Sequence, residues 1–154
     1  MGIRDLFRAL LGLRPRYLQV AALCLRGKGE RREVLLVTSR GRGRWILPKG
    51  WPMTGRSLAE AALQEAWEEA GAKGRVQKKA IGRYRYQNLL GDDIGLPVEA
   101  RVYQIDQIRL ADEYPEAGQR ERRWWPLAEA ADAVDETELA ALLRGLAADH
   151  RAAA

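Results

Sequence analysis

Residues 50–72 of the chain read GWPMTGRSLAEAALQEAWEEAGA, and much of the architecture follows from this stretch. Apolar residues recur in it at intervals of three and four, which predicts a helix with one core-facing side. Ser57 followed by Glu60 predicts a capping box at the helix start, and Gly71 stands where a left-handed residue would end it. The predicted core-facing residues are Ala59, Ala62, Leu63, Ala66, Trp67 and Ala70.

Three glutamates, Glu65, Glu68 and Glu69, lie within one arc of this predicted helix, because each residue adds about 100° of rotation. Taken alone, such a run is more often a solvated acidic face. Like charges at these spacings destabilise a helix by about 0.2–0.5 kcal/mol per pair, however, so a third carboxylate needs compensation. A hard cation that takes oxygen ligands would supply it. The sequence therefore predicts a Mg²⁺ or Mn²⁺ site on this helix.

The same stretch resembles the signature of the Nudix hydrolase family, G-x5-E-x7-R-E-U-x-E-E-x-G-U, in which U is aliphatic. Arg56 takes the place of the early Glu of this signature, and Gln64 takes the place of its Arg. Family members commonly pair those two residues as a structural salt bridge, so the resemblance implies a replaced strut beside intact metal ligands. The positions that fit the signature are Gly50, Glu65, Ala66, Glu68, Glu69, Gly71 and Ala72.

The resemblance also implies a reaction, the metal-assisted attack of water on a phosphorus of a diphosphate linkage. Glu65 and Glu69 would be direct metal ligands. The carbonyl of Gly50 would complete the metal shell. Glu68 would be a further ligand or the base that orients the water.

A general base in this family sometimes comes from a loop outside the signature. Glu116, Glu113 and Asp93 are candidates in this chain, and we expect Glu116 to act with Glu68 and Glu69. The predicted catalytic residues are therefore Glu68, Glu69 and Glu116.

Two further stretches resemble one branch of the family. Residues 44–50, RWILPKG, resemble the W-x-x-P-K-G lead-in of members that hydrolyse polyphosphorylated substrates. Residues 114–124 resemble, more weakly, the W-E…R-x-R-x-W stretch of diphosphoinositol polyphosphate phosphohydrolases. Both stretches place cations where several phosphates would be held, and arginine adds bidentate contacts. The predicted phosphate-binding residues are Arg44, Lys49, Arg120 and Arg123.

Composition indicates one domain with a basic surface. The chain has 154 residues, close to the commonest domain size, and 47% of them are apolar. Its 26 Lys and Arg against 21 Asp and Glu give a net charge of +5, and clustering of the basic residues favours a polyanionic partner. A small-molecule polyanion is favoured over nucleic acid, because no RNA-binding module is evident. The sequence carries no sign of the oligomeric state.

The single cysteine, Cys24, lies in an apolar run, which excludes an intrachain disulfide and favours a reducing compartment. No apolar run reaches the roughly 18 residues of a membrane span. The first segment lacks a signal-peptide cleavage pattern, so the sequence predicts a cytoplasmic protein. Residues 1–16 are amphipathic, and docking onto the domain or disorder is favoured for them over contact with an anionic membrane surface.

The whole sequence predicts an α/β fold of the α+β sandwich type, with a mixed sheet and helices on both sides, as in the Nudix fold. Predicted strands cover residues 17–25, 33–39, 45–47, 76–86, 98–108 and 122–125. The polar segment RGKGERR predicts a hairpin between the first two. A last helix is predicted from Asp135, with Glu138 completing a capping box. The predicted Nudix domain covers residues 17–149, between a segment of residues 1–16 and a tail of residues 150–154.

Three functions stay open at this level. The first is a Nudix pyrophosphohydrolase that uses Mg²⁺ or Mn²⁺ to hydrolyse a diadenosine polyphosphate or a diphosphoinositol polyphosphate. The second is removal of pyrophosphate from RNA 5′ ends, which predicts steep salt dependence. The third is a catalytically silent Nudix fold that binds a ligand, suggested by the losses at Arg56 and Gln64. The presence of all three helix glutamates favours an enzyme.

Overall fold

The computed structural model describes Ile3, residues 17–90 and residues 94–152. Apart from Ile3, the predicted N-terminal segment lies outside the described residues, and so does the candidate base Asp93. The strands within the described residues are β1 (Tyr17–Arg26), β2 (Glu33–Thr38), β3 (Trp45–Ile46), β4 (Lys49–Gly50), β5 (Ala72–Val76), β6 (Gly82–Leu90), β7 (Ile94–Leu110) and β8 (Arg122–Pro126). The helices longer than one turn are α1 (Leu58–Ala70), α2 (Leu127–Ala133) and α3 (Thr137–Ala152).

Strand β1 is the centre of a mixed sheet. Residues 17–24 of β1 pair in parallel with residues 98–105 of β7. On its other edge, β1 pairs with β4, where Val20 lies opposite Gly50, and at its end with β2. Strand β2 pairs with β3 and β8, and β7 pairs with β5 and β6. The short strand β4 is thereby held against the middle of β1.

Both faces of β1 are buried, because helices cover both sides of the sheet. Alternate residues of β1 point to opposite faces. On one face Val20, Ala22 and Cys24 belong to clusters completed by α1. On the other face Ala21, Leu23 and Leu25 pack in a cluster with residues of α2 and α3. This arrangement confirms the predicted α+β sandwich with helices on both sides of a mixed sheet.

Helix α1 has the predicted ends. The Ser57 side chain accepts a hydrogen bond from the Glu60 N–H at 3.1 Å, and Gly71 is left-handed with φ 63°. Alanines make up most of its buried face and let the helix lie close to the sheet. The predicted core residues Leu63 and Trp67 are only half-buried. The buried residues of α1 are Ala59, Ala61, Ala62, Glu65, Ala66, Glu69 and Ala70.

Some predicted boundaries are wrong. The strand predicted at residues 76–86 is two strands, because the N–H groups of Gln77 and Ile81 bond to carbonyls only two residues apart on β7 and the chain between them loops out. Helix α3 begins at Thr137 and not at Asp135. The carboxylate of Glu138 accepts a hydrogen bond from the Arg85 N–H instead of forming the predicted capping box.

Gly71 and Gly43 form a matched pair for a stability test. Both are left-handed, with φ 63° and 65°. A Cβ at Gly71 would overlap the Tyr114 ring, whereas a Cβ at Gly43 would meet no heavy atom within 4 Å. Gly43→Ala should cost about 1–2 kcal/mol of unfolding free energy, and Gly71→Ala should cost about 1–3 kcal/mol more from overpacking. Urea denaturation measures the difference, and equal losses would contradict this account.

Candidate metal centre

Two glutamates of α1 are buried against the backbone of β4. Glu65 is 9% exposed and Glu69 is 6% exposed. The Glu69 Oε2 accepts a hydrogen bond from the Lys49 N–H at 3.2 Å. A Cβ at Gly50 would overlap the Glu65 carboxylate, so the absence of a side chain there lets this carboxylate approach the strand. The two carboxylates are one turn apart on the helix and thus lie on one face.

The electrostatics of this pair are unusual for glutamates. Burial, with the neighbouring carboxylates of Glu69, Glu68 and Glu116, raises the pKa of Glu65 to about 8, and Arg120 opposes the shift. Burial also raises the pKa of Glu69 to about 7, against the effects of Arg120 and the Lys49 N–H. Four carboxylates therefore interact, and nearby positive charge compensates them only in part. An added cation would be stabilised here.

The third helix glutamate, Glu68, joins α1 to the loop between β7 and β8. Its Oε1 accepts a hydrogen bond from Gln64 Nε2 at 2.9 Å. Its backbone carbonyl accepts from the Glu116 N–H at 3.0 Å. Glu116 is thereby held close to the helix although 48 residues separate it from Glu68 in the sequence. The structure thus brings together the three residues predicted to be catalytic, Glu68, Glu69 and Glu116.

Arg120 lies among the carboxylates with its side chain 9% exposed. Its Nη2 is 3.5 Å from Glu69 Oε1 and 3.3 Å from Glu116 Oε1. Its Nη1 donates to the Thr38 carbonyl at 3.1 Å. Arg120 therefore neutralises part of the negative charge of the cluster. Its hydrogen bond to the Thr38 carbonyl holds the guanidinium against β2.

Lys49 is paired with Glu136, a residue that was not among the predicted site residues. Its ammonium lies 3.0 Å from Glu136 Oε1 and 3.6 Å from the centroid of the Tyr86 ring. Burial lowers the pKa of Lys49, and Glu136 opposes that shift. The Tyr86 hydroxyl in turn donates to the Gln19 amide oxygen. Glu136 lies just before α3, between Asp135 and Glu138, and no periodicity or motif in the sequence separated it from these neighbours.

The other predicted site residues lie further out. Arg44 is half-buried, and its N–H donates to Ser39 Oγ at 3.0 Å. Arg123 is exposed, and its guanidinium lies 4.3 Å from the Trp125 ring centroid. Residues 123 and 125 share a face of β8, and Trp125 packs against the cluster beneath α2 and α3, on the far side of the sheet from α1. The candidate base Glu113 is exposed.

The donors of the cluster fit a hard divalent cation. They are carboxylate oxygens in a buried, incompletely neutralised setting, next to a strand backbone that carries carbonyl oxygens. In the present side-chain arrangement, no three acidic, cysteine or histidine groups among the described residues converge enough to hold one ion. Arg120 lies between Glu69 and Glu116 and contacts both carboxylates. Displacement of the Arg120 side chain would leave both carboxylates open to an ion.

Comparison with known proteins identifies the family. The NUDIX domain model matches residues 15–146, and the chain belongs to this family. Nudix hydrolase 4 of Arabidopsis thaliana is 35% identical over 101 residues, which cover 65% of this chain and 46% of that protein. The human diphosphoinositol polyphosphate phosphohydrolase 3-alpha is 38% identical over 58 residues, covering 38% of this chain and 35% of that protein.

A crystal structure of a C. elegans Ap4A hydrolase superimposes with a TM-score of 0.61 at 19% identity, covering 87% of this chain and 98% of that one. This likeness shows the Nudix fold. The chain spans about half the length of the plant relatives that it matches. Within the described residues, no helix is long and apolar enough to cross a membrane.

The raised carboxyl pKa values predict how stability changes with pH in the presence of a chelator. The ordinary pKa is 4.5, whereas those of Glu65 and Glu69 are about 8 and about 7, so the folded protein holds extra protons between these values. Their contribution to stability is complete below pH 4.5 and is lost as the pH rises through 7 to 8. Glu65→Gln should flatten this decline.

Urea unfolding in EDTA from about pH 5 to about pH 9 measures the slope of stability against pH. Glu60→Gln, on the exposed part of the same helix, is the matched control and should keep the wild-type slope. A slope that Glu65→Gln leaves unchanged would show that this carboxyl titrates normally.

Proposed function

We propose that the protein is a hydrolase that cleaves a diphosphate linkage in a polyphosphorylated small molecule with Mg²⁺ or Mn²⁺. The observation that carries this proposal is the burial of Glu65 and Glu69 against β4 with both pKa values raised. Buried, undercompensated carboxylates without a functional counter-ion would only destabilise a fold. Membership of the NUDIX family supports the same conclusion.

Each part of the cluster has a role in this proposal. Glu65 and Glu69 bind the cation, with Glu68 and the Gly50 carbonyl as further ligands. When bound, the cation neutralises charge on the phosphate oxygens and lowers the pKa of a coordinated water. Glu116, fixed to α1 by its backbone bond to Glu68, accepts a proton from the attacking water.

The cations near the cluster hold the phosphates. Arg120 already lies between Glu69 and Glu116, and its guanidinium would bind a phosphate of the substrate when Glu69 serves as a metal ligand. Lys49 is less free, because Glu136 compensates its charge, so it acts mainly by holding the β4 backbone in place. Arg44 is proposed as an outer phosphate contact. Arg123 lies with Trp125 on the far side of the sheet from α1, and its contact with a phosphate stays a sequence prediction.

The proposed substrate class is a diadenosine polyphosphate or a diphosphoinositol polyphosphate. A relative named as a diphosphoinositol polyphosphate phosphohydrolase and a fold neighbour named as an Ap4A hydrolase support this choice. The net charge of +5 suits substrates that carry several phosphates. The cytoplasmic location and the domain limits at residues 17–149 stay predictions.

Glu69→Gln is the most direct test of the proposal. It removes a charged ligand and should lower kcat/KM for the best substrate by about 100-fold or more at a fixed Mg²⁺ concentration. Glu60→Gln is the matched control, because Glu60 is an exposed glutamate of the same helix. The assay is release of phosphate or nucleotide from diadenosine polyphosphates, inositol pyrophosphates, nucleoside diphosphate derivatives and triphosphorylated RNA.

The substrate panel separates the outcomes. Turnover of one of the first two classes, lost in Glu69→Gln and kept in Glu60→Gln, would support the proposal. Turnover of triphosphorylated RNA alone would contradict the proposed substrate class and show that RNA 5′ ends are the substrate. Binding of polyphosphates without any turnover in Mg²⁺ or Mn²⁺ would show a ligand-binding module in place of an enzyme.

A further inference from the structure

Arg56 and Gln64 connect the loop before α1 to the carboxylate cluster through two hydrogen bonds. Arg56 Nη1 donates to Gln64 Oε1 at 3.0 Å. Gln64 Nε2 donates to Glu68 Oε1 at 2.9 Å. The three side chains form a continuous series that begins at a cation and ends at a carboxylate of the cluster.

The charge of Arg56 determines which way the Gln64 amide faces. A guanidinium only donates hydrogen bonds, so the amide oxygen must face Arg56 and the amide nitrogen is left to face Glu68. A charged donor also polarises the amide, which strengthens the next bond in the series. Arg56 therefore acts on Glu68 through Gln64.

Backbone bonds hold both ends of this series. Arg56 follows the left-handed Gly55, with φ 78°, and its N–H donates to the Met53 carbonyl at 3.2 Å. At the other end, the Glu68 carbonyl accepts from the Glu116 N–H at 3.0 Å. The backbone is therefore held by hydrogen bonds at Arg56 and at Glu68, the two ends of the side-chain series.

We propose that Arg56 and Gln64 are positioning residues that orient the Glu68 carboxylate for cation binding, an inference that rests on the proposed function. A carboxylate held at Oε1 loses rotational freedom while its Oε2 stays available as a ligand. Hydrogen-bond partners of metal ligands typically change metal affinity about 10- to 100-fold. The two departures from the family signature are, on this proposal, a substitute for its salt bridge.

Two variants test the series. Gln64→Leu removes both hydrogen bonds at similar volume, and Arg56→Met keeps the side-chain stem without the guanidinium. The Kd for Mn²⁺, measured without substrate from the electron paramagnetic resonance signal of free Mn²⁺, should rise about tenfold in each. Because the two residues act in series, the double variant should bind Mn²⁺ no more weakly than the weaker single variant.

Matched controls lie elsewhere on the surface. Gln77→Leu also loses an amide-to-carboxylate bond, to Asp106 at 3.0 Å, and Arg144→Met loses a guanidinium-to-carboxylate bond, to Asp132 at 3.0 Å. Neither pair contacts the cluster, so both variants should keep the wild-type Kd for Mn²⁺. Melting temperatures of all variants, measured in EDTA, separate a loss of helix stability from a loss of ion affinity.

Arg56→Glu is a sharper test, because it reinstates the family residue at only one of the two positions. A carboxylate there would accept from Gln64 Nε2 and turn the amide oxygen towards Glu68. The Kd for Mn²⁺ should therefore rise further than in Arg56→Met. Adding Gln64→Arg places opposite charges at the two positions and should recover most of the lost affinity.

The outcomes distinguish this inference from the proposed function. An unchanged Kd for Mn²⁺ in Gln64→Leu, with hydrolysis intact in the wild type, would overturn the positioning role and leave the hydrolase standing. A lower melting temperature with an unchanged Kd would also overturn it, because it would show a purely structural strut. Weaker Mn²⁺ binding in Gln64→Leu would support the role even if the wild type hydrolyses no diphosphate.

Discussion

The candidate metal centre depends on two carboxylates buried against a strand of two residues. Burying an ionised carboxylate is costly unless hydrogen bonds or opposite charges compensate it. Strand β4 lowers that cost at Glu69 with the Lys49 N–H, and Gly50 gives Glu65 room to approach the strand. Arg120 supplies positive charge to the cluster but does not bring the two pKa values back to normal. The electrostatics of the folded chain therefore favour a further cation.

This burial is possible because two strands, β2 and β4, share one edge of β1. Strand β2 pairs with the end of β1, which leaves the middle of the same edge to β4. The alanines of α1 then set the distance of the helix from the sheet, and Ala66 and Ala70 pack in the same cluster as Ala22 and Cys24. The glutamates between those alanines face the edge of the sheet as a result. Packing of apolar residues on β1 thus determines where the acidic residues lie.

The helix and its acidic face were predictable because their signals are local. Ser57 and Gly71 mark the ends, and the spacing of the glutamates places them together whatever the rest of the chain does. Strand pairing is not local, and β4 is too short to show any periodicity. Arg120 and Arg123 looked equivalent in the sequence, yet only Arg120 contacts Glu69. Arg120 lies in the loop before β8 and Arg123 lies on β8, so the path of that loop and the pairing of the strand place the two arginines in different surroundings.

Some contacts of the site could be identified only from the whole fold. Glu136 approaches Lys49 from an element 87 residues away, and no pattern in the sequence relates the two. The N–H bond from Glu116 to Glu68 depends on the path of a loop. In both cases a polar residue acquires its surroundings from a distant segment, so composition and spacing alone carry no information about it.

Lys49 touches both helical layers of the molecule at once. Its backbone N–H bonds to Glu69 on α1, while its ammonium bonds to Glu136 at the start of α3 on the other side of the sheet. The strands of the sheet lie between the two layers. A displacement of the start of α3 would therefore be transmitted to the carboxylate cluster through Lys49. Lys49 thereby couples the position of the start of α3 to the hydrogen bonding of Glu69 on α1.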